Sequence, residues 1–151
     1  MNFKEINIKN RRATFDYNII ETYTAGIVLT GTEIKSIRLG KAGLTDTFCY
    51  VSNGEVWVKN MYIAEYTSRG YESHVEKRER KLLLTRREIN NIINSLSRKG
   101  TTLIAIRLYF NDKGRAKLEI GLGTGKKLYD KRETIKQRDW NRDKQRIMRQ
   151  V

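Results

Sequence analysis

The chain has 151 residues, with no proline, one cysteine and one histidine. Each shortage removes a class of function. A lone Cys49 cannot form an intrachain disulfide, which fits a reducing compartment and a cytoplasmic protein. One Cys and one His fall short of the ligand sets of Cys/His structural zinc sites and of zinc deaminases, so no metal is expected. A Cys49–His74 nucleophilic pair is the arrangement left open. A single Cys is more often a small buried hydrophobe, and His74 lies in a polar stretch where a solvated role is the default. No apolar run reaches the length of a membrane span, and neither end carries a signal-peptide core or a lipidation motif. The membrane reading is therefore the weaker one, and the range of enzymes open to the chain is narrowed. Paired-carboxylate spacing, which would suggest hydrolytic chemistry, is not evident.

What the chain has in excess is positive charge. Lys and Arg number 31 against 17 Asp and Glu, a formal net charge of +14. Such a field favours nucleic acid first and an anionic membrane surface second. The excess is uneven. From residue 126 to the end, ten Lys/Arg face four Asp/Glu, so this segment carries +6. Gly121, Gly123 and Gly125 precede it, and apolar residues nearly stop after them. This reads as a folded body over 1–125, a junction with no side chains to pack, and a basic tail over 126–151. The glycines do not form a Walker A phosphate loop, since Ile120 stands where its first Gly is required and Lys127 where its Ser/Thr is. They do not match the dinucleotide fingerprint either, because Lys126 occupies its third Gly position.

Within the body, strand signals dominate. Residues 1–12 read as a loose start that becomes ordered near Asn10. Thr14 to Leu29 reads as β, with a bend or bulge at Thr24-Ala-Gly26. Thr32 is the expected cap of a short helix with Ile34, Ile37 and Leu39 on one side and Gly40 as its stop. Lys35, Arg38 and Lys41 recur every three residues, which aligns them on one helical face. Asn53-Gly54 predicts a hairpin joining Leu44–Ser52 to Glu55–Ala64, and residues 65–81 read as a long loop. Thr85-Arg-Arg-Glu88 is a capping box ahead of Ile89, Ile92, Ile93 and Leu96, so a helix is predicted over Thr85–Arg98. A second hairpin is predicted from Thr101–Phe110 and Arg115–Leu122. About six strands with peripheral helices suggest a mainly β fold, a small closed barrel of the oligonucleotide-binding type.

The tail buries too little to fold alone, yet contains nothing that breaks a helix. Wound at about 100° per residue, it places Lys131, Arg138, Arg142, Arg146 and Arg149 along one stripe and Trp140, Ile147 and Val151 opposite. A basic stripe suits phosphates and an aromatic suits a base or an RNA crevice. The thin apolar side argues against a membrane surface.

These motifs closely resemble the SsrA-binding protein family, also called small protein B. The resemblance runs from about Asn10 to Met148. It rests on Asn10-Arg-Arg-Ala, the run from Glu21 through Thr30-Gly-Thr-Glu-Ile-Lys-Ser-Ile-Arg38, Lys81-Leu-Leu-Leu, Leu108-Tyr-Phe, and above all Gly125-Lys-Lys-Leu-Tyr-Asp-Lys-Arg-Glu-Thr-Ile-Lys136. The resemblance implies a non-catalytic RNA-binding adaptor of trans-translation, the rescue of ribosomes stalled on messages without a stop codon. It implies that the barrel grips the tRNA-like domain of transfer-messenger RNA (tmRNA) through Asn10, Tyr17, Glu33, Lys35, Ser36, Arg38 and Lys41. It further implies that the tail enters the empty message channel near the decoding centre and its ribosomal RNA, disordered alone and helical on the ribosome. Matching tail positions are Lys126, Lys127, Tyr129, Asp130, Lys131, Arg132, Lys136, Arg138, Trp140, Arg142, Ile147 and Met148. Alanyl-tRNA synthetase and elongation factor Tu are implied as indirect partners, with the chain itself a monomer and no cofactor. Thr24 departs from a frequent Glu, Phe15 from a frequent His, and Tyr129 from an occasional His. Two other readings of the residues are a generic single-strand RNA-binding barrel and an RNA-processing enzyme.

Overall fold

The fold is described from a computed structural model, which describes residues 5–66, 73–126, 135, 138 and 142. In chain order the elements are β1 (Asn7–Lys9), α1 (Arg11–Asp16), β2 (Tyr17–Ile27), α2 (Gly31–Arg38), β3 (Ala42–Gly43), β4 (Phe48–Ser52), β5 (Glu55–Lys59), β6 (Tyr62–Ile63), β7 (Arg80–Leu83), α3 (Arg86–Leu96), β8 (Thr101–Phe110) and β9 (Ala116–Gly125). The pairings β8–β4–β5–β7–β2–β9 return from β9 to β8, so six strands close a ring. The fold is thus mainly β with peripheral helices, and the ring supplies the expected closure. Its narrowest seam is β4 to β8, where Phe48 opposes Ile104.

Alternation explains the core. Val56 and Val58 of β5, Leu82 of β7, and Leu118, Ile120 and Leu122 of β9 point into the ring and are buried. Ile89 and Ile92 of α3 close one side. Ile93, expected on the same apolar face, is 39% exposed, so α3 buries a narrower stripe than its spacing suggests. Its capping box is formed as predicted, with Thr85 and Glu88 each bonding the other's backbone N–H. The Asn53-Gly54 turn is also as predicted. Both residues have positive φ, 52° and 74°, which suits a two-residue hairpin loop. The ladder is shorter than expected, because Asn60 at φ 64° ends β5 and Tyr62–Ile63 pairs instead with Ala42–Gly43.

Several expectations are corrected. The start is not loose up to Asn10: β1 pairs with β8, Ile8 opposite Leu108, and Ile6 is buried. The region from Thr14 is not strand throughout. Asn10 accepts a hydrogen bond from the Ala13 N–H at 3.3 Å and caps α1, which delays β2 until Tyr17. The irregularity in β2 lies between Ile19 and Glu21, leaving Ile20 65% exposed, while Gly26 stays in register with Leu83 and Lys117. Thr30, not Thr32, caps α2, because only Thr30 has Glu33 at the third helical position. Residues 80 and 81 belong to strand β7 rather than to the preceding loop.

The glycine triplet is the largest correction to the reading of the body. Gly121, Gly123 and Gly125 are not a spacer but the far end of β9, opposite Thr22, Ile19 and Tyr17 of β2. A Cβ on Gly121 would lie 2.8 Å from Ile106 Cδ1, and one on Gly123 would lie 3.1 Å from Tyr17 Cβ and 3.2 Å from the Asn18 carbonyl oxygen. At Gly121 and Gly123 the missing side chains leave room for Ile106 of β8 and for Tyr17 and Asn18 of β2, while a Cβ on Gly125 would meet nothing within 4 Å. Gly123→Val should therefore overpack β9 against Tyr17 and Asn18 and cost about 1–3 kcal/mol. A urea melt reads this as a lower midpoint, and an unchanged midpoint would contradict the packing argument.

Candidate nucleic-acid interface

The sequence-predicted RNA residues separate into two places and two depths. Asn10 and Tyr17 flank α1. The Asn10 side chain donates from Nδ2 to the Ala105 carbonyl at 2.9 Å, so it fastens α1 to β8 while capping it. Tyr17 begins β2 against Gly125 and is half-buried. The second group surrounds α2. Arg38 and Lys41 are exposed, while Lys35 is half-buried with its ammonium 5.3 Å from the centre of the Tyr66 ring. Lys41 lies past the helix, after the left-handed Gly40 at φ 74°. The row of three is thus two helical residues and one turn residue.

Glu33 and Ser36 are not on a surface. Glu33 is fully buried and Ser36 is 1% exposed. Ser36 donates its hydroxyl to the Ala64 carbonyl at 2.7 Å. Glu33 accepts from the Thr30 N–H at 2.9 Å, from Arg78 Nη2 at 2.6 Å and from Arg80 Nε. Burial pushes the Glu33 carboxyl up, but the bonds from Arg78, Thr30 and Arg80 outweigh it and hold the carboxyl below its ordinary range. Arg80 is itself completely buried and also donates to the Met61 carbonyl at 2.7 Å. Burial lowers the Arg80 guanidinium, and Glu33 opposes that by favouring its charged form.

These contacts bolt α2 to Arg78 and to Arg80 at the start of β7. His74 adds another: its Nε2–H donates to the Ile63 carbonyl at 3.0 Å, and its Nδ1 pairs with the Thr32 hydroxyl at 2.9 Å. His74 is therefore a structural link rather than a solvated loop residue. Cys49 is buried, and burial pushes its thiol up to about 12. It is a neutral core group at physiological pH, the wrong state for a nucleophile. Among the described residues, no group of three or more His, Cys, Asp or Glu is placed to hold a metal ion.

Two positive residues absent from the sequence reading join Arg38. Arg115 and Lys117, at the start of β9, share with it an open groove of about 270 Å³ floored by Leu29, Ile34 and Leu83. None of the described residues lining the groove is acidic. Arg115 and Lys117 were hidden because they lie far along the chain from Arg38, and only the ring brings them together. An apolar floor with a cationic rim can take a base face while its rim meets phosphates.

Of the tail positions, Lys126 follows β9 directly and its N–H donates to the Asp16 carbonyl at 2.8 Å. Arg138 lies over the Phe15 ring of α1, its guanidinium carbon 5.4 Å from the ring centre. Ile135, Arg138 and Arg142 are helical. Lys127, Tyr129, Asp130, Lys131, Arg132, Lys136, Trp140, Ile147 and Met148 lie outside the described residues, as does most of the expected tail over 126–151. No helix among the described residues is long and apolar enough to cross a membrane.

Comparison with known proteins finds relatives over nearly the full length. The family model described as "SmpB protein" matches residues 7–150. An SsrA-binding protein of Bacteroides thetaiotaomicron is 58% identical over 144 residues, covering 95% of this chain and 96% of the relative. An SsrA-binding protein of Sinorhizobium medicae is 50% identical over 147 residues, covering 97% and 92%. A chain from the solved structure "tmRNA-SmpB: a journey to the center of the bacterial ribosome" superposes with a TM-score of 0.68 at 44% identity, over 82% of this chain and 86% of that one. The chain belongs to the SsrA-binding protein (SmpB) family.

Proposed function

We propose that this chain is a cytoplasmic, monomeric RNA-binding adaptor that binds transfer-messenger RNA and brings it to stalled ribosomes for trans-translation. The single observation that carries the RNA contact is the groove where Arg38, Arg115 and Lys117 surround an apolar floor, with no acidic side chain among the described lining residues. Family membership points to tmRNA as the RNA. The chain's own residues bind and position; none is assigned to bond making or breaking. Lys35, Arg38 and Lys41 meet phosphates, and the buried Glu33–Arg80 pair keeps α2 at a fixed angle to them. Asn10 and Tyr17 extend the contact at the α1–β2 corner. The tail then occupies the empty message channel near the decoding centre. Alanyl-tRNA synthetase charges the bound RNA, and elongation factor Tu escorts it.

The Lys35→Gln, Arg38→Gln double variant tests the body contact. It should weaken tmRNA binding by roughly tenfold near 0.15 M salt and flatten the logarithmic salt slope by about two, one for each lost phosphate contact. Gel-shift titration at several salt concentrations measures both. An unchanged slope would remove α2 from the interface. Equal loss on an unrelated single-stranded RNA would favour a generic single-strand binder over a tmRNA adaptor.

A further inference from the structure

The groove beside Arg38 contains a position whose side chain is missing without a backbone reason. Gly26 sits on β2 between two neighbouring strands, in register with Leu83 of β7 and Lys117 of β9. Its neighbour Ala25 is fully buried, so alternation turns Gly26 to the outer face, in line with the exposed Thr22 and Thr24. Gly26 is not among the glycines with positive φ, so its backbone conformation does not call for glycine.

Crowding explains other glycines better than this one. A Cβ on Gly121 would meet Ile106 Cδ1 at 2.8 Å, and one on Gly123 would meet the Asn18 carbonyl oxygen at 3.2 Å. A Cβ on Gly26 would instead meet two outward side chains, Leu83 at its Cβ, 3.2 Å away, and Lys117 at its Nζ, 3.7 Å away. Leu83 is the last residue of β7 and is 53% exposed, so it can yield by the few tenths of an ångström required. The contact to Lys117 is the informative one. The lysine stem starts on β9, yet its ammonium lies over β2, in the space a side chain on Gly26 would fill. The next outward residue along β9, Glu119, already pairs with Arg107 at 2.5 Å. What admits the lysine over β2 is the room left by the glycine.

We infer that Gly26 is a positioning residue for RNA binding: its missing side chain seats the Lys117 ammonium over β2, on the groove rim that Lys117 shares with Arg38 and Arg115. The inference rests on the groove reading above and deepens it. A lysine is a point charge on a flexible stem, so its place must be set by its surroundings. Its apolar stem lies along the strand surface while the charged head stays at the open groove. An ammonium already in place loses less freedom when it meets a backbone phosphate, and that saving appears as affinity.

The test is a double-variant cycle on the full-length protein, read by gel-shift titration with tmRNA at several salt concentrations. Lys117→Gln should weaken binding by about three- to tenfold and flatten the logarithmic salt slope by about one. Gly26→Val removes no charge, yet it should produce a similar loss and a similar change of slope, because its branched side chain takes the place of the ammonium. Gly26→Ala is the packing control. It asks the same adjustment of Leu83 but leaves Lys117 in ordinary contact, so it should keep most of the affinity. In the Lys117→Gln background, Gly26→Val should cost almost nothing further, since the group it displaces is gone. Urea melts check folding, and if Val unfolds the protein Gly26→Ser replaces it in the same cycle. Multiplicative losses in the double variant overturn the inference, because the glycine would then act without the lysine. Equal losses for Ala and Val overturn it as well, by assigning the effect to Leu83. If Lys117→Gln weakens binding and Gly26→Val does not, the seat falls and the groove stands. If Lys117→Gln leaves tmRNA binding unchanged, the groove reading loses Lys117 and the inference falls with it.

Discussion

Replacing Glu33 by Ala should lower the stability of the protein by about 3–5 kcal/mol, the range for removing one partner of a buried ion pair. The cost does not come from the lost attraction alone. Arg80 is fully buried, and its other hydrogen bonds among the described residues go to the backbone carbonyls of Met61, Val75 and Glu76. Without the carboxylate, its positive charge stays in the core uncompensated. Arg78 loses a partner as well, and the Thr30 N–H loses the cap that starts α2. Urea denaturation of the single variants and of a Glu33→Met, Arg80→Met double variant separates these contributions. The double variant should be much less destabilised than the sum of its parts, because it removes both charges together. The same pair gives a pH dependence of definite sign. The Glu33 carboxyl is held below its ordinary range in the folded protein. Its contribution is therefore complete above the unfolded value of about 4.3 and is lost as pH falls through the lower folded value. Acid should destabilise the native protein more steeply than Glu33→Gln. Parallel acid profiles would contradict the assignment.

That pair also shows where the sequence was legible and where it was not. Period-two and period-3.6 patterns located β4, β5, α3, β8 and β9, because their apolar faces carry the core. Both capping boxes are written plainly as Thr-x-x-Glu, although Thr32 competes with Thr30 when spacing alone is considered. Strand β7 was hidden because its inward position is an arginine. Arg80 alternates with Leu82 into the interior, and hydropathy reads a charged residue as loop. Only Glu33, 47 residues earlier, makes that burial tolerable. The same fact moves Glu33 from a candidate RNA contact to the support beneath one. The glycines at 121–125 were misread for a related reason. A residue without a side chain marks either freedom or crowding, and only the neighbouring strands tell which: Gly121 and Gly123 are crowded, Gly125 is not. Lys35, Arg38 and Lys41 were visible through their spacing, while Arg115 and Lys117 needed the ring to reach Arg38. The departures at Thr24, Phe15 and Tyr129 have different outcomes: Thr24 is an exposed β2 residue opposite Glu119, Phe15 seats two arginines, and Tyr129 lies outside the described residues.

A chain ending at Tyr129 should retain tmRNA binding and lose peptide tagging altogether. The physical ground is the separation of tasks between the two parts. The ring of six strands is complete by Gly125, and the described lining of the groove comes from residues 26–117. The segment from 126 carries +6, too much charge and too little apolar surface for a core of its own. The proposed function has that charge meet ribosomal phosphates in the message channel, where counterion release would repay the cost of ordering the segment. The truncation leaves every described residue of the groove at Arg38 in place. The deciding measurement is a reconstituted assay with ribosomes stalled at the end of a message, comparing full-length protein with the chain ending at Tyr129 for tmRNA affinity and for tagged product. The account predicts near-equal tmRNA affinity and no tagged product from the short chain. Tagging at the full-length level by the short chain would contradict it.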